Sequence, residues 1–114
     1  MPTKPNTRGV TPLTPAVFHI LLALSEGALH GYAIMQAVEA SAGNGMRMGP
    51  GTIYGSLQRM EEAGLVKELP ARSGGRRRLF TLLPAGRKAL LDECERLARL
   101  AALVREKRLV PEQA

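Results

Sequence analysis

Apolar residues recur at helical spacing through most of this chain and at strand spacing in one central stretch. Before that stretch, the helical pattern covers three segments, residues 15–26, 31–42 and 50–63. Thr14, which precedes a proline, is a typical N-cap, and Gly64 is a typical helix stop. The pattern therefore predicts three helices that are separated by short turns.

The central stretch has the alternating apolar and polar positions of β-strands. Residues 65–69 form one such run and residues 76–83 form another, with a turn over residues 70–75. Phe80 and Leu82 fall on one face of the second run. We expect a β-hairpin with a basic rim.

In the last segment, apolar positions advance by alternating steps of four and three residues, the repeat of a helix that packs against another helix. The repeat comprises Leu90, Cys94, Leu97, Ala101 and Val104. Leu91, Ala98 and Leu103 extend the apolar surface beyond this stripe, so part of it could face the core and part a second subunit. A helix over residues 84–107 would be about 36 Å long, which is more than a small three-helix core can cover. We therefore expect a homodimer that forms through this helix.

Three helices followed by a hairpin are the elements of a winged helix-turn-helix domain, in that order. We predict an α+β fold, mostly α, in which this domain carries a C-terminal dimerisation helix. The expected organisation is a flexible arm over residues 1–12, the winged domain over 13–83, the dimerisation helix over 84–110 and a tail over 111–114. A length of 114 residues suits one such domain.

Charge is concentrated in the same central region. Lysine and arginine number 16 against 10 aspartates and glutamates, which gives a net charge of +6. The whole excess lies within residues 43–88, which hold nine basic and three acidic residues. A localised positive surface is what nucleic-acid binding needs, although a well-solvated surface gives the same count.

The third helix and the hairpin supply the candidate contacts with nucleic acid. In a winged helix, the third helix enters the major groove and the hairpin lies along the backbone or the minor groove. Thr52, Ser56 and Arg59 share one face of that helix, where Arg59 can donate two hydrogen bonds to guanine and the hydroxyls can reach phosphates or base edges. The hairpin carries Arg76, Arg77 and Arg78, which can neutralise phosphates or form a solvated turn.

These features predict a homodimeric protein that binds double-stranded DNA through the third helix and the hairpin. The alternative is a basic adaptor that binds an acidic protein partner instead of DNA. Aromatic residues make up only 4% of the chain and tryptophan is absent, which argues against the stacking platforms that bind single strands.

Three stretches of the sequence also resemble a known family. They are HGYAI at residues 30–34, GTIYGSLQRMEEAGLV at 51–66 and GRRRLFTL at 75–82. Together they are similar to the PadR family of bacterial transcriptional regulators, in its short form with a single C-terminal helix. The resemblance implies a sequence-specific regulator of transcription, a homodimeric winged-helix repressor on a pseudo-palindromic operator. It also implies that Tyr32 and Tyr54 lie near the DNA backbone. It also allows a small-molecule effector beside the last helix, near Phe18 and Met35, although these residues are typical of a plain core.

Other functional classes find little support in the sequence. His19 and His30 lie far apart, and Cys94 sits on an apolar stripe, so we expect no catalytic pair, no metal site and no cofactor. The longest apolar stretch, residues 16–24, is about half of what a bilayer crossing needs. We expect a cytoplasmic protein that is associated with the nucleoid when it is bound to DNA.

Overall fold

The computed structural model of the protein describes residues 13–43, 47–70 and 78–111. The predicted N-terminal arm, the turn of the hairpin with Arg76 and Arg77, and most of the predicted tail lie outside these ranges. The elements in chain order are α1 (Pro15–Ala23), a single 3-10 turn (Leu24–Glu26), β1 (Leu29–His30), α2 (Gly31–Ala42), α3 (Pro50–Glu62), β2 (Val66–Leu69), β3 (Leu79–Leu82) and α4 (Pro84–Glu106).

The helices begin and end close to where the sequence predicts. The Thr14 hydroxyl accepts a hydrogen bond from the Val17 amide at 3.2 Å, as an N-cap does. At the other end of the helical domain, Gly64 follows α3 with a φ of 81°, a left-handed conformation that favours glycine. These local signals act within one helical turn, which is why they can be read from the sequence alone.

The sheet contains one strand more than the predicted hairpin. Strands β2 and β3 pair antiparallel, with Val66 opposite Leu82 and Glu68 opposite Phe80. The short strand β1 pairs with the other edge of β3, so the strand order is β1-β3-β2. A two-residue strand is too short to show an alternating pattern, and its pairing with a partner some 50 residues away is decided by the fold. We call the β2–β3 hairpin the wing.

One hydrophobic core joins the helices to the inner face of the wing. Its largest fully buried side chains are Phe80, Ile20, Leu21, Leu24, Ile34, Ile53, Leu57 and Leu65. Because Phe80 of β3 packs among the helices, the base of the wing is part of the core. In the described part of the chain, no helix is long and apolar enough to cross a membrane.

Helix α4 divides into an inner half that packs on this core and an outer half that does not. Gly86, Ala89, Leu90 and Glu93 are buried, whereas Leu97, Leu100 and Leu103 are 37 to 44% exposed. The buried Glu93 carboxylate accepts a hydrogen bond from Arg96 Nε at 3.1 Å. Hydrogen bonding from Arg96 holds the pKa of Glu93 below its usual value, and the Leu13 backbone acts in the same direction.

The position of Leu90 corrects one sequence expectation. Leu90 is 3% exposed and belongs to the chain's own core, so it is not available to a second subunit. Cys94 is half-buried and packs against the same core. A four-and-three repeat shows that a helix face is covered, but it does not show whether the covering residues belong to the same chain.

Candidate nucleic-acid interface

Helix α3 presents a polar face to solvent because its opposite face is anchored in the core. Ile53, Leu57 and Met60 are buried on the inner side, and Thr52 and Arg59 are exposed on the outer side. Thr52 and Arg59 are seven residues apart, which is almost two full turns, so they lie above one another on the helix. The exposed polar face predicted for the third helix therefore includes Thr52 and Arg59.

Ser56 does not belong to that outer face. It is only 5% exposed, because it lies three positions after Ile53 and four before Met60, on the edge of the buried stripe. Its hydroxyl accepts a hydrogen bond from the Arg59 guanidinium at 3.3 Å. The expectation that Ser56 reaches DNA is corrected: it lies beneath Arg59 and supports that side chain.

Gln58, which was not among the predicted contacts, is exposed next to Arg59. A glutamine can read adenine through two hydrogen bonds, as arginine reads guanine. The helical spacing by itself predicts that Gln58 is exposed, because Gln58 is a polar residue that lies outside the apolar stripe of α3. Lys67, in strand β2 of the wing, is also an exposed basic residue.

The two tyrosines implied by the family resemblance lie at the start of α2 and in the first half of α3, but in different surroundings. Tyr32 is 66% exposed, and its hydroxyl accepts a hydrogen bond from Gln36 at 3.4 Å. Tyr54 is half-buried, and its ring lies over Gly31 so closely that a Cβ at Gly31 would be 2.3 Å from the phenol oxygen. Tyr32 is therefore presented to solvent, whereas Tyr54 packs α3 against the start of α2.

Arg78 is engaged within the protein. Its guanidinium donates to both carboxylate oxygens of Glu68, at 3.0 and 3.1 Å, in a two-pronged ion pair. The same group lies 4.7 Å from the centre of the Tyr54 ring and 5.3 Å from that of Phe80. Hydrogen bonding between the two partners lowers the pKa of Glu68 and raises the pKa of Arg78. We refer to Arg78, Glu68, Tyr54 and Phe80 as the Arg78 cluster.

Two small clefts flank Tyr54. One, of about 140 Å³, is apolar and includes Met35, and the other, of about 250 Å³, lies between His30 and Arg78. Both are smaller than the roughly 300 to 1,000 Å³ of typical ligand pockets. Phe18 and Met35, the residues considered for an effector, pack against the core. Among the described residues, no group of three acidic, histidine or cysteine side chains could hold a metal ion.

Comparison with known proteins places this arrangement in a family. Residues 20–92 match the profile of the transcriptional regulator PadR-like family. The chain belongs to the PadR-like family. Its members regulate transcription and are not enzymes, so the chain is a PadR-like regulator that combines a winged-helix domain with a long C-terminal helix.

Two individual proteins are similar to this chain in sequence. A transcriptional regulator of Mycobacterium tuberculosis is 37% identical over 84 residues, which cover 73% of this chain and 76% of the relative. An uncharacterized protein from a transposon of Streptomyces fradiae is 47% identical over 87 residues, 76% of this chain. This chain spans about a quarter of the length of the Streptomyces protein, since the match covers 24% of it.

Solved structures of the family share the fold. A PadR family transcription regulator from Clostridium difficile superposes with a TM-score of 0.70 and 24% identity, covering 82% of this chain and 97% of that one. A Bacillus subtilis PadR, solved in complex with operator DNA, has a TM-score of 0.58 and 21% identity and covers 86% of this chain and 48% of that one. At these identities the likeness concerns the fold alone.

The PadR-like match ends at residue 92, inside α4. Of the predicted dimerisation residues, Leu91 is 57% exposed and lies on another side of the helix from Leu90. Leu97 and Ala101 are exposed and Val104 is half-buried, beyond the matched region. Leu103, which the sequence placed on the extended apolar surface, is also exposed there, and so is Leu100, which was not among the predicted residues.

Proposed function

We propose that this PadR-like regulator binds double-stranded DNA sequence-specifically, as a homodimeric repressor on a pseudo-palindromic operator. Helix α3 enters the major groove and the wing lies along the backbone or the minor groove. The observation that carries this proposal is the outer face of α3, where Arg59 and Gln58 are exposed while the opposite face is held in the core.

The dimensions and chemistry of α3 support this role. The major groove of B-form DNA is about 12 Å wide and accepts one α-helix. Arg59 has the paired donors that fit guanine, Gln58 has the donor and acceptor that fit adenine, and Thr52 can donate to a phosphate at the start of the helix. Tyr32, exposed at the start of α2, is positioned for a backbone contact.

The charge distribution supports affinity. The excess of +6 lies within residues 43–88, which include α3 and the wing. Basic side chains release counterions from DNA when they neutralise phosphates, so the proposed binding depends steeply on salt. Arg76 and Arg77, outside the described residues, and Lys67 are the basic side chains proposed for this role near the wing.

The outer half of α4 supports the homodimer. An exposed apolar surface lies on the part of α4 that extends beyond the core of its own chain, and it consists of Leu97, Leu100 and Leu103. A second copy of the same helix would cover that surface and place two recognition helices on one face of DNA, where half-sites lie about 34 Å apart. A symmetric dimer requires a pseudo-palindromic operator. A regulator that acts on the bacterial chromosome works in the cytoplasm, on the nucleoid.

Substitution Arg59→Ala is expected to weaken binding to the preferred site by about 1 to 3 kcal/mol and to relax the base preference at one position of each half-site. The operator is first obtained by selecting bound fragments from random duplexes, and binding is then measured by titration. Lys67→Ala is the matched control. It removes the same charge from an exposed site and should weaken binding to every duplex equally.

The same titrations decide between DNA and an acidic protein partner. For the operator, affinity should fall steeply between about 50 and 200 mM salt while the sequence preference survives. Equal affinity for every duplex would contradict the repressor and favour the adaptor. If Arg59→Ala leaves the base preference unchanged, Arg59 contacts phosphate or has a structural role.

A further inference from the structure

The Arg78 cluster lies where three elements of the proposed interface meet. Arg78 directly precedes β3, Glu68 belongs to β2 and Tyr54 belongs to α3. The carbonyl of Arg78 also accepts a hydrogen bond from the amide of Gly31, at 3.3 Å, at the start of α2. The cluster therefore connects the wing to both helices of the helix-turn-helix.

The strand geometry places Arg78 on the inner side of the wing. Side chains two residues apart on a strand point to the same side, so Arg78 follows the direction of Phe80, which is 1% exposed in the core. Glu68 lies opposite Phe80 in the pairing of β2 with β3 and faces the same side. The guanidinium is thus directed toward Glu68 and the aromatic rings on the inner side of the wing.

Glu68 is itself attached to α3. Its backbone amide donates a hydrogen bond to the Glu61 carboxylate, at 3.2 Å, near the end of the helix. Tyr54, near the other end of α3, receives the Arg78 guanidinium on its ring. The wing therefore contacts α3 through Glu61 and through Tyr54, and Arg78 takes part in the second contact through groups that a lysine cannot replace.

We propose that Arg78 is a positioning residue, whose ion pair with Glu68 and stacking on Tyr54 hold the wing and the recognition helix in the one orientation that fits an operator. This inference rests on the proposed function, and it changes the role of Arg78 from that of a phosphate ligand. When the cluster is broken, the wing samples other orientations. The apparent affinity for the operator then falls in proportion to the fraction of molecules that remain competent to bind.

Substitution Glu68→Gln separates the two roles, because they predict opposite effects. If Arg78 positions the wing, the loss of the ion pair weakens binding to the selected operator by about fivefold, the most that an exposed ion pair usually contributes. If Arg78 is a phosphate ligand that Glu68 restrains, the substitution frees it and binding becomes tighter. Glu62→Gln is the matched control, since it removes the same charge from an exposed position at the end of α3 and should not weaken binding.

Substitutions of Arg78 provide the second test. Arg78→Lys keeps the charge and loses the two-pronged geometry, so it should weaken operator binding as much as Arg78→Gln does, with the salt dependence of both close to that of the wild type. The inference is overturned if Arg78→Lys binds like the wild type while Arg78→Gln lowers the salt slope by about 0.9, the loss of one phosphate contact. Tighter or unchanged binding of Glu68→Gln would overturn it as well.

Hydrogen exchange of the free protein distinguishes a failure of this inference from a failure of the proposed function. In the free protein, the Gly31 amide, bonded to the Arg78 carbonyl, should exchange several-fold faster in Glu68→Gln than in Glu62→Gln, whatever the two variants do in the DNA titrations. Equal exchange in the two variants contradicts the positioning role. If the wild type shows no preference among duplexes, the operator proposal fails, and the exchange rates alone decide whether Arg78 positions the wing.

Discussion

Leu97→Asp is expected to convert the protein into monomers that retain their fold and bind the operator about 100-fold more weakly or worse. Leu97 is 37% exposed on the outer half of α4, so its replacement disturbs little of the chain's own core. In the proposed dimer the new carboxylate would be buried among leucines without a partner, which is strongly unfavourable. Light scattering measures the oligomeric state, and titration with the selected operator measures the affinity.

The size of the expected loss in affinity follows from the physical connection of the two recognition helices in a dimer. In a dimer, binding of one half-site presents the second helix to the other half-site at an effective concentration in the millimolar range, and this can raise the overall affinity by about 10² to 10⁴. A monomer loses that gain without losing any contact at its own half-site. A half-site duplex should therefore bind the variant and the wild type with similar affinity per subunit.

Ala102→Asp is the control for introducing a carboxylate into the outer half of α4. Ala102 is exposed and lies five residues after Leu97, about 140° around the helix. This variant should remain dimeric and bind the operator normally. A dimer of normal affinity for Leu97→Asp, or monomers for both variants, would contradict the proposed interface on the leucine side of the helix.

Gly86→Ala is expected to destabilise the protein by about 3 kcal/mol. Gly86 lies in the first turn of α4, and a Cβ there would be 2.0 Å from the Leu65 carbonyl oxygen and 2.9 Å from its carbon. That carbonyl cannot move aside easily, because it accepts a hydrogen bond from the Leu83 amide at 2.9 Å. Urea unfolding at a fixed protein concentration measures the loss.

Gly55→Ala is the matched control for the effect of a methyl group in a helix, and the opposite sign is expected. A Cβ at Gly55 meets only the Arg59 guanidinium at 3.7 Å, an ordinary contact. Alanine in a helix interior is more favourable than glycine by about 0.5 to 1 kcal/mol, so this variant should be more stable than the wild type. A wild-type unfolding midpoint for Gly86→Ala would contradict the close packing of α4 on Leu65.

The elements of the fold were largely predictable because their signals are local. The N-cap at Thr14, the stop at Gly64 and the helical spacing of α3 each depend on neighbours within one or two turns. The exposed position of Arg59 follows from the same spacing, since the opposite face of α3 is apolar. The exposure of Gln58 follows from this spacing as well, because Gln58 also lies outside the apolar stripe of α3.

The errors at Ser56 and Leu90 have a common physical cause. At both positions the helical spacing shows the direction of the side chain but not which element covers it. Ser56 is buried because the core extends to the margin of α3, and Leu90 is buried because the inner half of α4 packs on its own domain. Burial at such positions depends on how closely the neighbouring elements approach.

By itself, the sequence determined the order and approximate bounds of the helices and the wing. It also determined the concentration of positive charge in residues 43–88 and the outward face of α3. All of these depend on residues that are near one another in the chain. The tertiary structure alone decided the pairing of β1 with β3, the assignment of Leu90 to the core and the engagement of Arg78 by Glu68 and Tyr54. These contacts join residues from different elements, and they form only when packing of the core brings those elements together.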